Sequence, residues 1–183
     1  GLIYASSSSV YGGNEKTPSN VHDRVDKPLS LYGATKRANE LIAYSYTNLY
    51  GLNTTGLRFF TVYGPWGRPD MAIFIFTKKI LAGEPIPIFN NGKMKRDFTF
   101  IDDIIYGTRV ALEKNYLCEV FNLGNNKSED LMDMVGIIEK ELGIQAKPDF
   151  QPMQSGDVIE SYADIEYSIS KLNYSPKVNI NKG

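Results

Sequence analysis

A short apolar run, Leu2 to Ser6, breaks into the polar run Ser6-Ser-Ser-Ser9, and the next regular element along the chain is a long helix. From Ser30 to Tyr50 the small or apolar positions Ala34, Ala38, Leu41, Ile42, Ser45, Tyr46 and Leu49 fall at helical spacing, and Gly51 then ends the helix. A second buried strand, Thr54 to Phe60, follows at once. A strand, a long helix and another strand in this order point to parallel pairing in the first third of the chain and to the α/β class.

The alternation continues. A polar loop from Gly12 to Leu29, with Pro18 and Pro28, separates the first strand from the long helix. After Phe60 come a Gly/Pro-rich loop, Tyr63 to Asp70, and a helix from Met71 to Ala82 closed by Gly83. A strand Ile86 to Phe89, a turn at Asn90-Asn91-Gly92, a strand Asp97 to Ile101 and a helix Asp102 to Lys114 come next. The remaining segments are a strand Val120 to Leu123, a helix Asp130 to Leu142 before Gly143, and an extended piece Lys147 to Gln151. No repeat interrupts the pattern, and it contains no Gly-rich phosphate loop. The chain starts without Met inside an apolar run and stops in the polar stretch Asn179 to Gly183, so both ends read as cut.

Charge and composition remove several function classes. Twenty Lys plus Arg against 21 Asp plus Glu leave a net charge of -1, too little for a field that would condense the protein on nucleic acid or anionic lipid. Hydrophobic residues at 42% exclude a disordered chain, and no apolar stretch approaches membrane-spanning length. One cysteine, Cys118, and one histidine, His22, cannot make a disulfide or a zinc cluster, and point to a reducing, cytoplasmic setting with no metal. His22 reads as a surface residue and Cys118 as an unreactive thiol.

Tyr32 and Lys36 stand four residues apart near the start of the long helix, so both project from one face. An ammonium beside a phenol favours the phenolate, the form that can take a proton from a hydroxyl. The same spacing recurs at Tyr167 and Lys171. Only the first pair follows a strand that ends in hydroxyls, which would face the ligand crevice of a doubly wound sheet; the second reads as a half-buried aromatic beside a solvated lysine. Asp102 and Asp103 stand where a helix begins, and capping accounts for them better than catalysis or metal binding.

The runs Ala5-Ser-Ser-Ser-Ser-Val-Tyr-Gly12, Ser30-Leu-Tyr-Gly-Ala-Thr-Lys36 and Leu57-Arg-Phe-Phe-Thr-Val-Tyr-Gly-Pro-Trp-Gly-Arg-Pro-Asp70 resemble the extended short-chain dehydrogenase/reductase family, closest to its UDP-glucuronate 4-epimerases. The likeness continues in order through Gly92-Lys-Met-Lys-Arg-Asp-Phe-Thr-Phe-Ile-Asp-Asp103 and Met153-Gln-Ser-Gly-Asp157. It implies the C-terminal half of a doubly wound, Rossmann-like parallel sheet domain plus a smaller α/β substrate-binding lobe. Residues 1–66 would belong to the NAD-binding domain and 67–183 mainly to a UDP-sugar-binding lobe, with 97–124 returning to the main domain. The Gly-rich half of the cofactor site would be missing, so the 183 residues alone are expected to be inactive.

The resemblance further implies NAD as cofactor and a UDP-sugar as substrate. Tyr32 would be the base, Lys36 its electrostatic partner and a donor to the cofactor ribose, and Ser7 the hydroxyl that positions the reacting oxygen. Phe60 would touch the cofactor, and Ser8, Ser9 and Thr61 the substrate. Related dehydratases carry an Asp-Glu pair where this chain has Ser8 and Ser9, which disfavours water elimination. Arg68 would clamp a uronate carboxylate, Arg96 the diphosphate, Phe89 the uracil, Gln154 the phosphate side and Asp157 the ribose, while Lys93 and Lys95 read as solvated. The implied reaction is 4-epimerisation of UDP-glucuronate to UDP-galacturonate through a 4-keto sugar. A UDP-glucose or UDP-N-acetylhexosamine 4-epimerase, and a non-catalytic UDP-sugar-binding module, remain open alternatives. A homodimer through the Tyr32 helix is a further expectation from the family.

Overall fold

The computed structural model describes residues 1–14 and 16–183. Glu15, inside the loop expected from Gly12 to Leu29, lies outside the described residues. The first strand, β1 (Leu2–Ser7), runs into a 3-10 turn at Ser8–Tyr11, and helix α1 follows at Leu31–Tyr50. Ser30 caps α1 by accepting the Gly33 N–H at 3.0 Å, and Gly51, left-handed at φ 64°, ends it. The chain continues through β2 (Thr54–Phe59), β3 (Thr61–Tyr63), α2 (Ala72–Leu81), β4 (Pro85–Ile88), β5 (Lys95–Arg96), β6 (Phe98–Phe100) and α3 (Ile101–Lys114). It closes with β7 (Cys118–Leu123), β8 (Glu129–Asp130), α4 (Leu131–Leu142), β9 (Lys147–Phe150), β10 (Glu160–Ser161) and α5 (Glu166–Leu172).

Strands β1, β2 and β7 form one parallel sheet with β2 in the middle. Its register aligns Ser6 with Arg58 and Arg58 with Asn122, and one residue on aligns Ser7 with Phe59 and Phe59 with Leu123. All three strands therefore deliver their carboxyl ends to the same edge, where open parallel sheets form their ligand crevice. Just past that edge β3 pairs with β6, and the short strands β10, β5 and β8 make a second small sheet; β4 pairs with β9 farther out.

Two buried apolar clusters hold these pieces. Leu57, Phe121 and Leu123 from the parallel sheet pack with Ile104 and Ala111 of α3 and with Leu172 of α5 and Tyr174 just beyond it. Phe76 and Ile80 of α2, Ile86 and Ile88 of β4, and Met134 and Val135 of α4 form the other. Each fully buried side chain of this size stabilises the fold by about 2 kcal/mol. No helix among the described residues is long and apolar enough to cross a membrane.

The expected alternation of strands and helices is present, with boundaries moved by a residue or two. Three details differ from the sequence reading, the first being the short strands β3, β5, β8 and β10, of two or three residues each, which the sequence pattern does not predict. Asp102 and Asp103 lie in the first turn of α3, but neither side chain caps it. Asp103 instead accepts the backbone N–H groups of Lys177 and Val178, both at 3.0 Å, and so ties down a segment more than 70 residues away. Helix α5, not foreseen, carries Tyr167 and Lys171.

Candidate active site

The serine run owes its shape to the end of β1. Ser7 takes an extended backbone and becomes the cap of the 3-10 turn, its hydroxyl accepting the Ser9 N–H and donating to the Ser9 hydroxyl, both at 3.2 Å. Helix α1 starts directly against this turn. A Cβ at Gly33 would stand 2.5 Å from the Ser9 carbonyl oxygen, so only glycine lets the helix come so close. Tyr32, the residue before it, is half exposed and faces the same space as the serines. Lys36, one turn on, donates its ammonium to the Ala5 carbonyl at 3.0 Å and lies 5.6 Å from the Tyr32 ring centre.

These groups line a cleft of about 700 Å³ between the ends of β1 and β2, the loop after β3 and the β5–β10 edge. Ser7, Ser8, Ser9, Tyr32, Lys36, Phe60, Thr61, Arg68, Arg96 and Asp157 all reach it. Phe89 and Gln154 are not among its lining residues: Phe89 packs on the cluster of α2 and α4, and Gln154 is exposed. A cleft of this size suits a nucleotide-sized ligand.

The far wall carries its arginines on loops and short strands. Arg68 lies beyond Gly64 and Trp66, both at positive φ, and its guanidinium holds the Asp70 carboxylate in a two-point pair, with Nε 3.0 Å from Oδ1. The hydrogen bond from Arg68 holds the Asp70 carboxyl below its ordinary value. Arg96 is more enclosed and donates to Asp157 at 2.7 Å and to the carbonyls of Lys95 and Ile159. Burial pulls its guanidinium down against the opposing pull of Asp157, so this cation is short of solvent and gains from a further anion. Lys93 is exposed, and Lys95 pairs with Asp130 at 3.7 Å.

Tyr167 and Lys171 stand elsewhere. The Tyr167 ring stacks on Phe121 and its hydroxyl donates to Glu119; burial, with Glu119 beside it, pushes that hydroxyl up to about 12. A phenol so held is no base at neutral pH. His22 is exposed and meets Tyr167 edge-on, and Cys118 is exposed with Thr54 beside it at 3.8 Å.

Sequence reasoning missed a buried polar network under the serine turn. The Glu40 carboxylate accepts from Ser6 at 2.6 Å, from Arg58 Nε at 2.8 Å and Nη2 at 2.9 Å, and from Arg37 at 2.9 Å. Arg58 also donates Nη1 to the Tyr11 hydroxyl and to the Val21 carbonyl, both at 3.0 Å, and Tyr11 donates to Asn122 at 2.6 Å. Ser6, Tyr11, Glu40, Arg58 and Asn122 are each at most 4% exposed. Burial alone would raise the Glu40 carboxyl; the bonds from Arg58, Ser6 and Arg37 outweigh it and hold the group below its ordinary value of 4.5. One signal was available: a charged residue inside the otherwise apolar strand Thr54 to Phe60 needs a buried partner.

Parallel strands that end at one crevice, with a helix bringing a tyrosine and a lysine to the cleft that a strand-end serine lines, define an α/β protein of the kind whose ligand crevice lies at the carboxyl edge of its sheet. The profile of the NAD dependent epimerase/dehydratase family matches residues 1–124, and the chain belongs to that family. UDP-glucuronate 4-epimerase 4 of Arabidopsis thaliana is 47% identical over the whole chain, which covers 46% of that protein. The crystal structure of UDP-glucuronic acid 4-epimerase from Bacillus cereus, in complex with UDP-glucuronic acid and NAD, superposes with a TM-score of 0.93 at 39% identity, covering 99% of this chain and 58% of that one. A UDP-N-acetylglucosamine 4-epimerase from Methanobrevibacter ruminantium M1, in complex with UDP-N-acetylmuramic acid, gives a TM-score of 0.90 at 29% identity, over 98% of this chain and 60% of its own. The chain spans about half the length of the curated relatives it matches, between 46% and 60%.

Proposed function

We propose that this chain carries the catalytic and sugar-binding part of an NAD-dependent UDP-sugar 4-epimerase, and that the sugar is glucuronate, converted to galacturonate. The observation that carries this reading is the convergence of Ser7, Tyr32 and Lys36 on a cleft whose opposite wall presents Arg68 and Arg96. The relatives of known activity support the same reaction class. We assign residues 1–66 and 97–124 to the NAD-binding body and the rest mainly to the sugar-binding lobe, and the exposed apolar residues of α1, such as Leu41, Tyr44 and Leu49, to a homodimer contact. The single cysteine supports a cytoplasmic setting.

The residues present fit the nicotinamide end of the cofactor. Lys36 spends one donor on the Ala5 carbonyl, which leaves ammonium protons for ribose hydroxyls, and Phe60 offers an apolar surface at the cleft floor. NAD, when bound, supplies the acceptor and donor of the hydride that oxidises the sugar C4 and reduces it again on the other face. Tyr32 takes the proton of the 4-hydroxyl and later returns it. Lys36 offsets the charge that develops on the Tyr32 oxygen, and Ser7 hydrogen-bonds the sugar oxygen as it changes from alcohol to ketone and back. Ser8 and Ser9 are neutral, so they donate and accept hydrogen bonds without supplying the acid and base that elimination requires.

Arg68 is the substrate discriminator in this reading. A guanidinium grips a carboxylate through two parallel bonds, and Asp70 occupies that fork as a uronate carboxylate would. A 4-keto uronate is a β-keto acid and loses carbon dioxide when its carboxylate aligns with the ketone π system. Holding the carboxylate out of that alignment favours epimerisation. Arg96, with Asp157 beside it, would take the diphosphate and ribose side, and Thr61 would touch the sugar from the floor.

The same Arg68–Asp70 pair favours a second reading. With Asp70 neutralising Arg68, the cleft also accepts an uncharged hexose, which would make the protein a UDP-glucose or UDP-N-acetylhexosamine 4-epimerase. The test uses the complete product of the gene, incubated with NAD and each UDP-sugar and followed by the sugar H4 and anomeric proton signals. UDP-galacturonate from UDP-glucuronate is the expected result. Turnover of only the neutral sugars would move Arg68 out of substrate recognition, and no turnover with retained UDP-sugar binding would make the protein a binding module.

A further inference from the structure

Glu40 and Arg58 do not line the cleft, yet both are charged, buried and paired with each other. A buried ion pair is a weak source of net stability, because desolvating two charges offsets their attraction; its best-attested use is to fix register. The register at stake here is that of α1. The helix lies on β1 through two successive strand residues: Lys36 donates to the Ala5 carbonyl and, one turn on, Glu40 accepts from the Ser6 hydroxyl. Arg58 then locks the same carboxylate from β2 with both arms of its fork, while its third donor reaches Tyr11 on the turn that Ser7 caps. Small and apolar contacts tolerate a helix that slides or rotates by an ångström; a two-point guanidinium pair does not.

We propose that the Glu40–Arg58 pair, with Ser6 and Tyr11, is the positioning device of the site, fixing α1 on β1 and β2 so that Tyr32 and Lys36 stand opposite Ser7. The pair acts through α1 and the serine turn and contacts no substrate. The proposal rests on the reading of Tyr32 and Lys36 as the catalytic pair.

The decisive variant is Glu40→Met with Arg58→Met, which replaces the pair by apolar side chains of similar length and leaves no buried charge. Such replacements elsewhere have kept or raised stability. In the complete gene product we expect it to fold, to keep KM for the UDP-sugar within about threefold, and to lose about 100-fold in kcat, the cost of a misplacement near 1 Å. A merely structural pair predicts a folded variant with kcat within threefold of wild type, and that result overturns the proposal. Should the double variant not fold, Arg58→Lys keeps the charge but gives up the fork, and the same split, a fall in kcat at nearly constant KM, is expected from it. A crystal structure of the folding variant supplies a readout free of activity. The Lys36 contact to the Ala5 carbonyl should open by about an ångström, and its retention overturns the proposal even if the wild-type protein epimerises no UDP-sugar. Absence of wild-type turnover by itself counts against the epimerase reading alone.

Discussion

On the α1 wall of the cleft, Ser6, Tyr11, Glu40 and Arg58 are sealed from solvent and joined by bonds of 2.6 to 3.0 Å, whereas on the opposite wall the Arg68 and Asp70 side chains are 68% and 62% exposed and pair in water. Charges of both signs occur on each wall: those of Glu40 and Arg58 stand in place of solvent, Arg96 is intermediate at 16% exposed, and Arg68 and Asp70 stay in water. Under the proposed function the difference separates two tasks. A proton-transfer group must already stand where it works, so its support is buried and directional. A group that recognises a ligand must exchange partners on binding, and Arg68, the recognition group of the proposed reading, rests on an exposed acidic residue.

Four substitutions break or sharpen this contrast. Tyr32→Phe removes the proposed proton-transfer hydroxyl and should lower kcat by about 10²- to 10⁴-fold with little change in UDP-sugar binding, checked by the NMR assay and by calorimetry. Arg58→Met alone leaves the Glu40 charge buried without its main partner, and should cost about 3–5 kcal/mol in urea unfolding. Arg68→Ala should lower kcat/KM on UDP-glucuronate by about 10- to 100-fold and leave UDP-glucose unaffected, the loss of one charge-assisted contact. Asp70→Asn frees Arg68 from its resting partner and should lower KM for UDP-glucuronate by no more than about fivefold, since exposed pairs are weak.

A pH series tests the buried wall in another way. Because Glu40 is held below its ordinary 4.5, it contributes stability above that pH, and the contribution is lost as pH falls through its value in the folded protein. Glu40→Gln should therefore be less stable than wild type at neutral pH, with the gap between their urea midpoints closing in acid. A constant gap from neutral pH down to about pH 3 would show that the charge of Glu40 plays no part.

Much of the α1 wall was legible in the sequence. The tyrosine–lysine pair lies on a long, cleanly periodic helix, and the serines end a strand, so local patterns placed both. The neighbouring wall was less legible because its strands are two residues long: β5, β8 and β10 are too short for any periodicity to show. Phe89 and Gln154, carried over from the resemblance, lie off the cleft lining, a fact of loop geometry that residue types do not encode. Asp103 looked like a cap because it opens a helix, but its partners, Lys177 and Val178, are far away in sequence. The Glu40–Arg58 pair was hidden for the same reason, since α1 and β2 each give only half of it.

The close approach at Gly33 reaches beyond geometry to the protein's room for change. With the Ser9 carbonyl 2.5 Å from where any β-carbon would sit, a saturation library at this position selected for function should return glycine alone. The first turn of α1 is thus frozen by an atom that belongs to another part of the backbone, whatever happens along the rest of the helix.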